Sequence, residues 1–236
     1  MPSYGGSYIF KNYIRKDVKY VEFETSIYNG RIVENEYVNI SFENCRVAAY
    51  FDGFVNQDKK VFSDSVFKVD LERDTSLEIA FHNPNMIVHT IGMVMSSSRI
   101  EYSKGEFWMY KEAFTPSVVN LIYKFDEEKN MVLTALGSKP LNYFDAAKWR
   151  NENDLTKDSL DVFREFSEQA SKGPGSLNHR YLLEDVPMGL VLFEYVGKQL
   201  RIATPIASAI ISLAGGLLDI DFRSNKQKIK RFFSNL

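Results

Sequence analysis

Cysteine is nearly absent from this chain. Cys45 is the single one among 236 residues, so no disulfide forms within the chain, and a reducing cytoplasm is the expected compartment. Histidine is scarce as well. His82, His89 and His179 are all there is, and with one cysteine they give no metal-ligand spacing, so no metal is expected. The glycines fall into no phosphate-cradling pattern: there is no Gly-x-Gly-x-x-Gly and no P-loop. Gly-x-Ser-x-Gly and His-Glu-x-x-His are missing too, which removes two common hydrolase readings. A net charge of −2 offers no general attraction for nucleic acid. Met1-Pro2-Ser3-Tyr4-Gly5-Gly6-Ser7 lacks a basic stretch followed by an apolar run, so no signal peptide is expected. The longest apolar stretch, Pro205 to Leu218, is short for a membrane span, contains Gly215-Gly216 and runs into Asp219 and Asp221. A buried helix is expected there.

What the chain does have is apolar and aromatic mass. Hydrophobic residues make up 44 % and charged residues 25 %, the balance of a soluble globular protein, and 18 Phe and 13 Tyr allow a sizeable core.

The first third reads as β-rich. Val18 to Thr25 and Tyr37 to Phe42 alternate apolar and polar residues, the period of half-buried strands, and Asn29-Gly30 is a hairpin-turn signal. Arg46 to Phe51 reads as a more buried strand closed by Asp52-Gly53. A helix over Ser7 to Lys16 precedes these strands, and another short one is expected over Lys59 to Val69. From Asn83 the period turns helical. Asn83 can cap and Pro84 suits the first helical position, where its missing N–H has no partner to lose. Thr115-Pro116 repeats the device before a long helix that Gly137 ends. Leu155 to Ser171 places Leu155, Val162, Phe163, Phe166 and Ala170 on one face, and Lys172-Gly173-Pro174-Gly175 breaks the chain after it. Thr204-Pro205 opens the last apolar helix, and Arg223 to Leu236 is a basic, amphipathic tail that should pack its apolar side on the body. Asp126-Glu127-Glu128 reads as an exposed helix face. Strands first and helices after suggest α+β or two domains, the first resembling the latter part of a larger unit.

The chemistry concentrates in two stretches. His89 sits about one and a half turns into the helix that Pro84 opens, amid Met86, Ile87, Val88 and Ile91. An imidazole so placed is more often a satisfied core residue than a catalyst. Asp185 stands among Leu182, Leu183, Val186 and Leu190, where an unpaired carboxylate is costly, so it needs a partner. An imidazole would serve, with the carboxylate fixing its tautomer for acid–base work. A pair with Arg180, or a cap on a helix beginning at Pro187, would serve equally. Arg180 can grip a carboxylate through two parallel hydrogen bonds, although a surface ion pair is the commoner fate of an arginine. His82 and His179 read as supporting residues, and Glu184 as solvated.

These stretches resemble the opine dehydrogenase family, also called octopine/nopaline dehydrogenases. The likeness runs through Asn83-Pro84-Asn85, His89, Arg99-Ile100-Glu101, Tyr110, Thr115-Pro116, Arg180-Tyr181-Leu182, Glu184-Asp185-Val186-Pro187, Gly189-Leu190 and Thr204-Pro205. It implies an α/β plus all-α fold: a partial Rossmann-like sheet over residues 1–82, then a helical catalytic domain over residues 83–236. It implies an oxidoreductase acting on the CH–NH bond between an amino acid and a 2-oxo acid, with NAD or NADP as cofactor. His89 would be the general acid/base, Asp185 its orienting partner and Arg180 the holder of a substrate carboxylate. The family's Gly-x-Gly-x-x-Gly turn has no counterpart here, so the chain looks truncated relative to the family and its cofactor-binding residues stay unknown. Activity would then need a nucleotide-binding half, which a separate chain could supply. The alternative is a non-catalytic helical interaction or dimerisation module that keeps the family fold.

Overall fold

The computed structural model describes Tyr4, residues 18–33 and residues 37–225. The expected helix over Ser7 to Lys16 and the tail beyond residue 225 lie outside the described residues. The chain divides into two compact units: residues 1–83 with 146–157, and residues 84–145 with 158–236.

The first unit is built on two small sheets. β1 (Tyr20–Phe23) pairs antiparallel with β4 (Ala48–Asp52), which pairs in parallel with β5 (Leu71–Glu72). β2 (Tyr28–Val33) and β3 (Tyr37–Glu43) form a separate antiparallel ladder. Asn29-Gly30 does not make the turn of that hairpin. The pair lies inside β2, at the shift in register, opposite the one extra residue, Ser41, of β3. Helix α1 (Asn56–Ser65) carries the chain from β4 to β5 and starts three residues earlier than expected. Phe23, Phe51, Phe54, Phe62 and Phe67 meet edge-on or tilted, with ring centroids 5.3–6.5 Å apart, and form the core between sheet and helix. Helix α2 (Ser76–His82) is wholly buried and packs against β1 and β4. The periodicity hides it because every residue is buried, the polar Ser76 and Glu78 through partners at Glu22 and Arg73. Its start was legible all the same: Thr75 and Glu78 have capping-box spacing, and the Thr75 hydroxyl accepts from the Glu78 amide at 3.0 Å.

Residues 146–157 are tied into this unit by charge and backbone. Arg46 donates to the carbonyls of Trp149 and Glu152, and the Cys45 amide to that of Arg150. Arg150 and Arg73 converge on the buried Glu24 carboxylate at 3.0 and 2.8 Å.

The second unit surrounds one buried helix, α3 (Asn85–Met95), in which every residue from Met86 to Val94 is buried. Pro84 occupies the cap position and accepts the first amide bonds at its carbonyl, while Asn83 instead closes α2; the expected start is displaced by one residue. Around α3 stand α4 (Ser97–Ser103), α5 (Met109–Glu112) and the 20-residue α6 (Pro116–Ala135). α6 opens at Thr115-Pro116 and stops before Gly137, whose φ of +78° suits a residue without Cβ. α7 (Tyr143–Asn151) follows, its residues from Ala146 on belonging to the first unit. α8 spans Ser159–Gln169, shorter than expected because Asp158 caps the amides of Leu160 and Asp161; Leu155 lies outside it, exposed. α9 (Arg180–Leu183), a wide π turn (Val186–Leu190) and α10 (Val191–Gln199) run in succession. The apolar stretch becomes α11 (Pro205–Leu218), with Ala207, Ile210, Ile211 and Ala214 buried, and no helix among the described residues is long and apolar enough to cross a membrane. Gly92 marks a close approach on α3: a Cβ there would stand 2.9 Å from Met109 Sδ and 3.1 Å from the Phe114 ring.

One charged segment departs from expectation. Of Asp126-Glu127-Glu128, Glu127 alone is solvated; Asp126 and Glu128 are 1 % and 4 % exposed. Residues 126 and 128 point to different sides of α6, each covered by a neighbouring segment, and partners there offset the desolvation. Lys129 binds Asp126 at 2.6 Å, with both side chains buried, and the Tyr143 amide donates to Asp126 at 2.8 Å. Glu128 accepts from the Ile206 and Ala207 amides at the start of α11.

Candidate active site

The second unit brings together two of the residues singled out in sequence. His89 Nδ1 lies 2.8 Å from Asp185 Oδ2, and the residues are 5 % and 6 % exposed. Of the three readings open for Asp185, pairing with the imidazole is the one the structure shows, and its side chain makes no cap bond to the turn that follows.

Local sequence explains the placement. α3 is apolar on all sides, so its interior position fixes His89 in the core. On the other strand of the pair, Pro187 has no N–H to give to the carbonyl four residues back, and α9 ends at Leu183. The chain re-forms as the π turn, closed by the Val191 amide on the Val186 carbonyl. Asp185 stands at the seam between the two helical forms, a location where such wide turns often serve a site. α9 and the π turn both pack on α3, which carries the carboxylate to the ring.

Nδ1 and the carboxylate oxygen share one proton, and an ionised Asp185 requires that Nδ1 carry it. Nε2 is then the free lone pair of a neutral ring, and it makes no hydrogen bond among the described residues. Burial pushes the His89 pKa below its ordinary value of 6.5. The Asp185 hydrogen bond and charge pull it upward and the Arg180 cation pushes it down, but desolvation wins. The ring is therefore a neutral base at pH 7 that takes up a proton when the reaction supplies one.

Arg180 opens α9 with its side chain exposed. Between it and His89 stands Tyr181. The Tyr181 ring stacks on the imidazole at 3.4 Å between centroids and 11° between planes, and the Arg180 guanidinium carbon is 5.8 Å from the same ring. His179 meets that ring edge-on at 4.4 Å, and its Nδ1 accepts from the Tyr181 amide at 3.3 Å. Burial first, then Arg180 and His89, hold the His179 imidazole below its ordinary value. His179 thus caps a helix and supports the cluster; Glu184 is exposed as expected; His82 is buried at the end of α2 in the first unit. Tyr181 is the site residue that sequence patterning passed over. Its signal was only its place beside Arg180, since tyrosine is common and stacking partners leave no spacing rule.

A nicotinamide dinucleotide asks for a strand, a glycine-rich turn and a helix N-terminus free to receive pyrophosphate. The described residues do not fit it. The β4–α1–β5 crossover carries the one parallel pairing between strands among them, its turn holds the single Gly53, and Asp58 puts a negative charge in the first turn of α1. No group of three or more metal-ligating side chains occurs among the described residues.

The chain resembles known proteins over this same region. A family profile described as NAD/NADP octopine/nopaline dehydrogenase, alpha-helical domain, matches residues 72–218. The opine dehydrogenase of Arthrobacter sp. (strain 1C) is 28 % identical over 159 residues, 66 % of this chain and 43 % of that protein. Vitopine synthase of Allorhizobium ampelinum is 25 % identical over 142 residues, 59 % of this chain and 39 % of that protein. The chain thus matches these curated relatives over less than half of their length. Among solved structures, octopine dehydrogenase with NADH and L-arginine superposes with a TM-score of 0.70 at 15 % identity, covering 99 % of this chain and 68 % of that one. Yersinopine dehydrogenase with NADP+ gives 0.66 at 12 % identity, covering 100 % and 72 %. These likenesses establish the fold: a partial Rossmann-like part followed by a helical domain.

Proposed function

The chain belongs to the octopine/nopaline dehydrogenase family through its α-helical domain, and on that premise we propose that its second unit supplies the acid–base and substrate-holding residues of a CH–NH oxidoreductase. The substrates are an amino acid and a 2-oxo acid, and the cofactor is NAD or NADP, which delivers or accepts the hydride when bound. The described residues offer that dinucleotide no cradle, so this chain's part is proton handling and carboxylate holding. Activity depends on a nucleotide-binding half; none of the comparisons points to a separate chain as its source. The single cysteine suits a cytoplasmic setting.

His89 is the general acid/base. With Nδ1–H held by Asp185, Nε2 exchanges the proton. In its protonated form it gives that proton to the departing hydroxyl of the carbinolamine, or to the amine nitrogen, and Asp185 stabilises the imidazolium meanwhile. Arg180, exposed beside the stack, holds a substrate carboxylate through its planar fork. The observation that carries the reading is the buried 2.8 Å pair of His89 and Asp185 inside the family-matching stretch.

The test is turnover of NADH or NADPH with paired amino acids and 2-oxo acids, with a nucleotide-binding half supplied, in the wild type and in His89→Ala. Loss of roughly a hundredfold or more in kcat is expected, with an unchanged far-UV spectrum. Retained turnover in a folded His89→Ala protein would reject the assignment. The missing cradle favours a second reading, a non-catalytic interaction or dimerisation module. Calorimetric titration showing no uptake of either dinucleotide even when a nucleotide-binding half is supplied would support that second reading.

A further inference from the structure

We propose that Tyr181 is a positioning residue for His89: its ring, stacked on the imidazole at 3.4 Å and 11°, fixes the plane in which Nε2 meets the substrate. This rests on the acid–base reading of His89 given above.

A single hydrogen bond does not orient an imidazole. The Asp185 contact pins Nδ1 but leaves the ring free to rock about the Nδ1–carboxylate line, which sweeps Nε2 through an arc. A flat surface laid parallel to the ring removes that freedom. Tyr181 supplies such a surface, and Tyr181 is itself held from several sides. Its amide donates to His179 Nδ1, its edge meets the His179 ring at 4.4 Å, and the Arg180 guanidinium carbon stands 5.8 Å from its centroid. α9 packs on α3, so the clamp and the clamped ring belong to two helices in direct contact. The arrangement also acts on charge. The electron-rich face of a phenol ring attracts a cation, so an imidazolium formed against Tyr181 is favoured where burial disfavours it. The Arg180 cation shares the same ring and competes for it. Proton uptake at Nε2 and carboxylate capture by Arg180 are therefore coupled through one side chain: a bound anion that neutralises Arg180 makes protonation of His89 easier.

The role belongs to the ring rather than the hydroxyl, and that defines the experiment. Tyr181→Leu removes the π face while keeping an apolar side chain; Tyr181→Phe keeps the face. His89 is followed by NMR titration of its ring protons in the full chain, and kcat and KM are measured over pH in parallel. In Tyr181→Leu, His89 should titrate at lower pH than in the wild type, and kcat should fall on the order of tenfold to a hundredfold with KM changed far less. Tyr181→Phe should restore most of both. A leucine variant that titrates and turns over like the wild type overturns the proposal. So does a phenylalanine variant whose kcat falls roughly tenfold or more below the wild type, which would assign the effect to the hydroxyl; that comparison needs only Tyr181→Phe and the wild type and holds even if Tyr181→Leu does not fold. The titration is independent of turnover. If His89→Ala keeps its activity while the titrations behave as described, the acid–base reading falls and the clamp stands.

Discussion

At the scale of single residues, the chemistry is a contest over one proton. Desolvation disfavours the imidazolium of His89, and the carboxylate of Asp185 works against that loss. The carboxylate has a second task, which is to keep the proton on Nδ1. Asp185→Asn separates the two. An asparagine amide lacks the charge and can present N–H to Nδ1 instead of accepting from it, so the ring can hold its proton on Nε2, where the reaction needs a lone pair. The His89 pKa is already below 6.5, and removal of an upward pull moves it lower still. In the direction that reduces the dinucleotide, where His89 acts as the base, the acid limb of the pH–kcat profile should therefore shift to lower pH in Asp185→Asn, and maximal kcat should fall by roughly 10²- to 10⁴-fold. A variant with the wild-type profile and rate would show that the pair is structural. These partners were legible as residue types, because a carboxylate amid Leu182, Leu183, Val186 and Leu190 had to be paired. Which partner it takes was not legible, since 96 residues separate the two in the chain.

Elements show where sequence periodicity works and where it fails. α6 and α11 were readable because a proline opens each and a distinct stop closes α6. α2 was not, because total burial erases the contrast between faces on which periodicity depends, and the burial of Asp126 and Glu128 was not, because their covering partners lie elsewhere in the chain. A charge on a helix reads as solvated unless its partner is known, and the partners of Asp126 and Glu128 come from Tyr143, Lys129 and the start of α11. That difference has an energetic consequence. Burial raises the Asp126 pKa above its ordinary value of 3.8, against the downward pull of Lys129. Lys129→Met removes the pull and leaves the carboxylate buried with the Tyr143 amide. The expected cost is about 3–5 kcal/mol in urea unfolding at pH 7. A carboxyl whose folded pKa is raised gains stability as it protonates, so the deficit should shrink as pH falls. A loss below about 1 kcal/mol at pH 7, or one that grows toward acid, would mean that Asp126 is not charged and desolvated as described.

At the scale of the whole molecule, the titrating groups pull stability in opposite directions. Asp126 and Glu128 have raised values, so their contributions are present at low pH and are lost as pH rises. His89 and His179 have lowered values, and for them the sign is reversed. The unfolded chain takes up protons at both imidazoles near 6.5, while the folded protein resists until lower pH. More protons are bound in the unfolded state over that window, so stability declines as pH falls through 6.5. The sum cannot be read from one melting curve. A difference between two proteins can, because the carboxylate contributions are common to both and cancel. His89→Gln removes one imidazole and leaves Asp126, Glu128 and His179 in place. Between pH 7.5 and 5.5, the wild type should lose more stability than His89→Gln, by at most about 1.4 kcal/mol per pH unit, the limit for one group. Denaturant unfolding at four pH values measures both slopes. Parallel slopes would mean that His89 accepts a proton in the folded protein as readily as in the unfolded chain. The buried, Asp185-bound imidazole would then not be the neutral base on which the acid–base reading depends.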